Sequence, residues 1–381
     1  MNFDHNEESF SVLIPDGESN YALSVLQCLS QKKNVRLFIL SDDPWARVRF
    51  SRYPIQFISY TNVNGNEDRL TAITDAVKKT RADVVLPVDS QTMRLLSSNP
   101  GTLLQMTTII PVPKIGDMDI AEDKWLLYLW LNENSIPCPS TILYRTDDGF
   151  DQELSKISFP VLIKPRKGSG GVGIEFFDNS SALYGFCKEH VKSEEFIIQY
   201  FINGYDIDCS VLCKEGKILS YTIQKGFLFE DKKVSWPSGI DFLYDLRIYN
   251  VVKDLVEKFN WSGIVHIDLR YDQQEDRVKV IEMNPRFWAT VCASTFAGVN
   301  FPFMSCLAAL KKNFPENEFQ PKRVVRSGAA IKLLAKRILN RKQKDLYFDH
   351  SFIEFSLRDP LPHLVSRCFK VYNKYFSKKS F

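Results

Sequence analysis

Between Gly263 and Trp288 the chain reads GIVHIDLRYDQQEDRVKVIEMNPRFW, two alternating runs on either side of DQQED. That polar stretch is too short and too hydrophilic for anything but a tight turn, so its flanks must pair as a hairpin. With the turn centred near Glu275, Asp268 falls opposite Glu282 and His266 opposite Asn284. Side chains alternate along a strand. One face therefore carries His266, Asp268, Arg270, Glu282 and Asn284, and the other Val265, Ile267, Leu269, Ile281 and Met283. The apolar face belongs to a core; the polar face is a site. Opposed residues have Cβ atoms roughly 4.5–5.5 Å apart, where like charges repel. Two carboxylates and an amide oxygen at that spacing suit a hard, oxygen-loving cation, Mg²⁺ with Mn²⁺ as a substitute. The competing explanation is a structural ion pair in which Arg270 and Arg286 neutralise the two acids.

A length of 381 residues implies two or three domains, and 44% apolar with 25% charged residues describes an ordinary soluble globular protein. The net charge of +3 hides an asymmetry: from Pro321 onward there are 15 Lys/Arg against 4 Asp/Glu, about +11, which leaves about −8 for residues 1–320. The 8 cysteines form no CxxC pair. Cys209 and Cys213 share a strand face and read as core thiols, and scattered cysteines fit a reducing, cytoplasmic setting. The opening MNFDHNEESF has neither the basic nor the apolar region of a secretion signal. Ala293 to Leu310 is broken by polar residues and Pro302 and is not expected to span a membrane.

Residues 10–115 alternate strand and helix patterns: strands at 10–15, 35–40, 55–59 and 83–88, helices at 21–30 and 70–79. This succession predicts a doubly wound α/β domain; ligands of such sheets bind outside the carboxyl ends of the strands, which points to Asp16, Gly17, Glu18, Asp89 and Ser90, although polar loop residues capping helices are the better reading of each one singly. PVPKIGDMD (111–119) reads as a linker, after which Asp123 and Lys124 open a helix. A second helix is expected near 150–157.

The strand FPVLIKP (159–165) leads into RKGSGGVGIEFF. Gly168, Ser169, Gly170, Gly171, Val172 and Gly173 satisfy GxGxxG, but a strand pattern follows where a dinucleotide fingerprint needs a helix. The better reading is a glycine-rich hairpin whose backbone N–H groups fold over a polyphosphate while Lys164 reaches its oxygens. Downstream, 194–212 forms two strands, the second placing Asp206 and Asp208 on one face. The segment from Gln224 to Ile240, with Lys225 and Trp236, is long enough for a lid. A helix over 244–259 returns to the hairpin.

With Lys124, the Lys164–Gly173 hairpin, the Gln199–Asp206 segment and Asp268, Glu282 and Asn284 in this order, the chain resembles the ATP-grasp superfamily over residues 115–310. EMNPRFW followed by GVNFP is most similar to relatives of the carbamoyl-phosphate synthase large chain and carboxylate–amine ligases. The resemblance implies an α/β and α+β protein: an N-terminal doubly wound pre-ATP-grasp domain (1–115), two ATP-grasp subdomains (116–200 and 201–320) and a basic C-terminal extension (321–381). It implies that Lys124 and Lys164 hold ATP phosphates under the glycine loop. Gln199, Tyr200, Phe201 and Ile202 would line the adenine and Asp206 the ribose. Asp268, Glu282 and Asn284 would hold Mg²⁺, and Arg286 would face the transferred phosphoryl group. Many members carry Glu where Gln199 and Asp206 stand.

The implied activity is ATP-dependent ligation of a small-molecule carboxylate to an amine, with Arg286 and Lys164 as the catalytic pair. The alternatives are phosphorylation of bicarbonate, as in carbamoyl-phosphate synthase, and a non-catalytic ATP-binding module. No nucleic-acid partner is expected. A homodimer and an anionic membrane or charged polymer precursor at the basic tail stay open. In that tail, RSGAAIKLLAKRIL (326–339) reads as a strand or ledge running into a helix, and RDPLPHL as a loop before a last, basic helix.

Overall fold

The computed structural model describes residues 8–146, 149–168, 170–190, 195–228, 237–314, 319–339 and 347–376. Strands β1 (Phe10–Ile14), β2 (Val35–Ser41), β3 (Gln56–Ser59), β4 (Val84–Val85) and β5 (Thr108–Ile109) form a parallel sheet in the order β3-β2-β1-β4-β5. Helices α1 (Ala22–Leu29), α2 (Asn66–Thr80) and α3 (Ser90–Ser98) connect them. The expected linker is shorter than its composition suggested, because Ile115–Glu122 is a helix, α4. Helix α5 (Lys124–Glu133) follows, and the Asp123 side chain caps it by accepting from the backbone N–H of Trp125 and Leu126.

Strands β6 (Thr141–Leu143), β7 (Val161–Pro165), β8 (Glu175–Phe177) and β9 (Phe196–Tyr200) make a second, antiparallel sheet ordered β6-β9-β7-β8, with helices α6 (Gly149–Leu154) and α7 (Ser180–His190). A third sheet joins β10 (Gly204–Lys214), β11 (Lys217–Phe227), β12 (Gly239–Phe242), β13 (Gly263–Asp272), β14 (Arg277–Asn284), β15 (Arg323–Val325) and β16 (His350–Ser351) in the order β14-β13-β10-β11-β12-β15-β16. Helix α8 (Leu246–Phe259) packs Ile248, Val252, Leu255, Val256 and Phe259 against this sheet, together with Cys209 and Cys213 as buried thiols. Gly204 opens β10 where any Cβ would lie 1.7 Å from the Tyr271 carbonyl oxygen, so no other residue fits.

The remaining helices are α9 (Val291–Phe296), α10 (Phe301–Ala309), α11 (Ser327–Leu339), α12 (Ile353–Arg358) and α13 (Pro360–Phe376). Two expectations are corrected here. RDPLPHL is not a loop, since Pro360 begins α13, a position where its missing N–H costs no hydrogen bond. The basic tail is not wholly peripheral: β15 and β16 extend the third sheet, and buried Asp359 accepts from Ser51 Oγ (2.5 Å) and Arg52 N (3.2 Å) in the first domain. Among the described residues, no helix is long and apolar enough to cross a membrane.

One core runs from the first sheet through α1 into α9 and α10, with Phe10, Leu26, Phe301 and Met304 in a single cluster. Polar contacts fasten the same seam. Phe287 N donates to Val88 O (3.2 Å), Ser24 Oγ to Ala289 O (3.2 Å) and Asn300 Nδ2 to Cys28 O (2.7 Å). The first domain therefore sits against the segment that follows β14.

Candidate active site

The β13–β14 hairpin has the expected register at its polar end: His266 faces Asn284, Ile267 faces Met283 and Asp268 faces Glu282. Between Asp268 and Leu269 the register shifts, so Leu269 faces Val280 and Ile281 is the extra residue of a bulge. Ile281 consequently leaves the apolar face and is half-buried, while Val278 and Val280 are buried in its place.

The structural ion-pair explanation for the two acids does not hold. Arg270 pairs with Asp206 and donates through Nε to Ile202 O (2.8 Å). Arg286 donates to Asn284 Oδ1 (3.0 Å) and lies over the Tyr21 ring at 4.8 Å. Asp268 instead accepts a long contact from Asn284 Nδ2 at 3.4 Å, and Glu282 lies 3.5 Å from Lys124 Nζ.

The second sheet brings its own residues to the same place. Lys124 stands at the start of α5, which is clasped to the end of β7. Its N–H donates to Arg166 O (3.0 Å), and Asp123 pairs with Arg166 (2.7 Å). Lys124 Nζ reaches both Glu282 and the Gly168 carbonyl (2.8 Å). Between β7 and β8, Gly168, Gly170, Gly171 and Gly173 all have φ between +73° and +115°, which side chains other than hydrogen resist. That reversal exposes the loop backbone over one cleft lined by Lys124, Lys164, Gly168, Gly171, Val172 and Glu282. Ser169 and Trp236 lie outside the described residues, as does the 229–236 part of the expected lid, and Gln224–Phe227 and Gly239–Phe242 are strand.

Lys164 is only 6% exposed, and its ammonium donates to Gln199 Oε1 (2.8 Å), whose Nε2 donates to Thr141 Oγ1 (3.0 Å). The Gln199 side chain thus holds a lysine, while its backbone stays part of β9. Burial lowers Lys164 to about 8, against the pull of Glu282. Along the same stretch, Phe201 meets Phe176 edge-on at 5.2 Å and carries Arg270 over its ring at 4.8 Å. Ile202 is buried and Tyr200 half-buried. Asp206 is well exposed beside Arg270.

The loops of the first domain turn out to be internal fasteners. Asp16 is fully buried, accepting from Val88 N (2.6 Å), Thr92 and Arg69 (3.0 Å), and Arg69 also holds Glu18 (2.7 Å). A Cβ at Gly17 would strike Ile39 and Ser41. Asp89 is raised by burial, offset by its hydrogen bond from Ser19 and by Arg286.

Sequence reasoning put His266 on the polar site face and Asp208 on one face with Asp206, but made neither a metal ligand. Asp208 lies directly across from Asp268 in the β10–β13 pair, and Ser210 across from His266. Burial and the neighbouring Asp206 raise Asp208 to about 7; burial, then Asp208 and Glu282, raise Asp268 well above the usual carboxylate range. His266 is lowered to about 3 by burial and by Arg286, so its ring is neutral near pH 7. The signal was the shared face of Asp206 and Asp208; the pairing of their strand with β13 was not legible.

Residues 121–290 match the family model described as the ATP-grasp domain. The C-terminal section of the carbamoyl phosphate synthase large chain of Methanopyrus kandleri is 23% identical over 276 residues, 69% of this chain and 48% of that protein. The D-aspartate ligase of Enterococcus faecium is 23% identical over 198 residues, 47% of each chain. This chain spans about half or less of the curated relatives it matches. The fold is that of the N5-carboxyaminoimidazole synthetase of Staphylococcus aureus solved with ADP, at TM-score 0.66 and 15% identity, covering 89% of this chain and 88% of that one.

Proposed function

Residues 121–290 form an ATP-grasp domain, and from that premise we propose that the chain is a ligase joining a carboxylate to an amine at the cost of ATP. The observation that carries this reading is the convergence of two lysines and a glycine loop on a cleft walled by Glu282, beside the opposed Asp268. In it, Lys124, Lys164 and the backbone of 168–173 hold the outer phosphates. Phe201, Ile202 and Tyr200 border the base, and Asp206 the ribose. Asp268, Glu282 and Asn284 offer only oxygens, which fits Mg²⁺ or Mn²⁺; bound there, the ion would neutralise charge on those phosphates. The division at residues 115, 200 and 320 belongs to the same reading.

A carboxylate oxygen attacks the γ-phosphorus, the bond to the β-phosphate oxygen breaks, and ADP leaves with its electrons. An amine nitrogen then attacks the acyl carbon, orthophosphate departs, and the nitrogen loses a proton. Arg286, near the end of β14, faces charge that develops on the transferred group. The likeness to D-aspartate ligase supports carboxylate–amine coupling. The likeness to carbamoyl phosphate synthase keeps a second reading, in which bicarbonate is the phosphorylated acid. Intact lysines and oxygen ligands weigh against a non-catalytic module. The substrates are small molecules; a homodimer belongs to the proposal, and a membrane or polymer partner finds no support.

Assaying ADP and orthophosphate across carboxylate and amine panels tests the proposal. Turnover should require an acid, hydroxylamine should trap the acyl phosphate as a hydroxamate, and Arg286→Ala should lower turnover more than ATP binding. AMP and pyrophosphate as products would sink it, and turnover driven by bicarbonate alone would select the second reading. Hydrogen exchange gives a separate check on the loop. Exchange over 166–174 should slow when Mg·ATP is added, because backbone N–H groups facing solvent become committed to phosphate; equal rates with and without nucleotide would remove the loop from the site.

A further inference from the structure

We propose a second divalent-cation site, formed by Asp208, His266 and Asp268 and selective for Mn²⁺, Fe²⁺ or Zn²⁺ over Mg²⁺. His266 Nε2 lies 3.3 Å from Asp268 Oδ1 and 4.0 Å from Asp208 Oδ2, and one ligand atom from each residue falls within 4.8 Å of the others. The two carboxylates sit directly opposite on paired strands, an arrangement that like charges disfavour. Among the described residues, neither has a Lys or Arg ion-pair partner within 4.0 Å.

The imidazole is prepared for such a role. Its Nδ1 is 2.8 Å from Ser210 Oγ, and its ring stacks on Trp288 at 5.1 Å and 17°. When Nδ1–H donates to the serine, Nε2 presents a lone pair between the two acids. A hydrogen bond from the non-ligating nitrogen is the usual companion of a metal-bound histidine.

A second, independent observation comes from the next strand. Gln224 faces Asp208 in the β10–β11 pair and is 3% exposed. Its amide donates to Asp208, while its Oε1 has no hydrogen-bond partner. A buried carbonyl oxygen left unpaired costs about 1–3 kcal/mol, a cost that a cation or hydrogen-bond donor beside the cluster would relieve.

Asp268 divides its oxygens: Oδ1 faces His266, and Oδ2 faces Asn284 at 3.4 Å. It can therefore belong to both ion sites. The nitrogen donor separates them, because imidazole favours later divalent metals while an all-oxygen set suits Mg²⁺. The new site needs no nucleotide, so it stands or falls apart from the ligase reading.

The test is Mn²⁺ binding to the nucleotide-free full chain by electron paramagnetic resonance. Wild type should bind Mn²⁺ in tenfold excess of Mg²⁺ and show ¹⁴N modulation from a coordinated imidazole in spin-echo spectra. His266→Asn and Asp208→Asn should each weaken binding by at least about tenfold, while Glu282→Gln should retain it. Circular dichroism checks folding, and the wild-type nitrogen signal decides the matter if a variant misfolds. No Mn²⁺ binding, no nitrogen modulation, or binding lost in Glu282→Gln but kept in His266→Asn would overturn the site.

Discussion

Replacing Glu282 by Gln, or Asp268 by Asn, is expected to lower ATP turnover by on the order of 10²–10³-fold, as removal of an aligned charge-stabilising group does. Stability should hardly fall. Each substitution keeps the shape of the side chain and removes a negative charge from a crowded face. Burial, Asp208 and Glu282 already hold Asp268 well above the ordinary carboxylate range, so losing one acid relieves repulsion on the other. The cost falls on the long, largely buried Lys124–Glu282 contact at 3.5 Å, where Gln can still accept and Lys124 keeps its hydrogen bond to Gly168 O (2.8 Å). Thermal unfolding and an ADP-release assay on the same samples separate the explanations. A large drop in melting temperature with unchanged turnover would make the acids structural; so would full wild-type activity without any divalent cation.

The second large effect is expected at Lys164, where function and stability should move in opposite directions. Lys164→Met should weaken ATP binding about 10–100-fold, the equivalent of one charged hydrogen bond of about 1.5–3 kcal/mol. The folded protein should nevertheless be at least as stable as wild type at pH 7. An unperturbed lysine ionises at 10.5 and the buried Lys164 at about 8. At 1.36 kcal/mol per unit, keeping it charged costs about 3 kcal/mol. Leaving Gln199 Oε1 unpaired returns about 1–2 kcal/mol of that, so the net gain is on the order of 1 kcal/mol.

The sign of the pH dependence follows from the lowered pKa. Between about 8 and 10.5 the unfolded chain holds a proton that folded Lys164 has released. Wild-type stability should gain a positive contribution with rising pH across that window, and the methionine variant should lack it. ATP affinity should move the other way, falling as pH rises through about 8 and the ammonium loses its charge. Denaturant unfolding and ATP titrations across pH 7–10.5 check both; a clearly destabilised variant that still binds ATP normally would make Lys164 a structural residue.

Most of what lies within one strand or one turn could be read from residue order. Alternation along 264–269 and 282–284, with a polar turn between, was enough to oppose Asp268 to Glu282 and His266 to Asn284. The four glycines followed by a strand pattern were enough for a hairpin rather than a nucleotide-binding helix start. Local steric rules and strand periodicity act over a few residues and leave their mark there. The bulge that pushed Ile281 off the core face is already less legible, because whether one residue is squeezed out depends on what packs beneath it.

Contacts across the chain were decided by the tertiary structure alone. Lys124 meets Glu282 because the start of α5 is clasped to the end of β7 and lies within reach of β14. The Gln199 side chain holds Lys164 because antiparallel β7 and β9 place the two as diagonal neighbours on one face. Asp16 is held by Arg69, 53 positions away, a partner that no local pattern announces. Asp208 reaches His266 and Asp268 only because β10 lies between β13 and β11. Strand order is a choice among many pairings that satisfy the same local alternation, and it is settled by which arrangement buries the apolar faces together. That is a sum over the whole core, and no short stretch of sequence contains it.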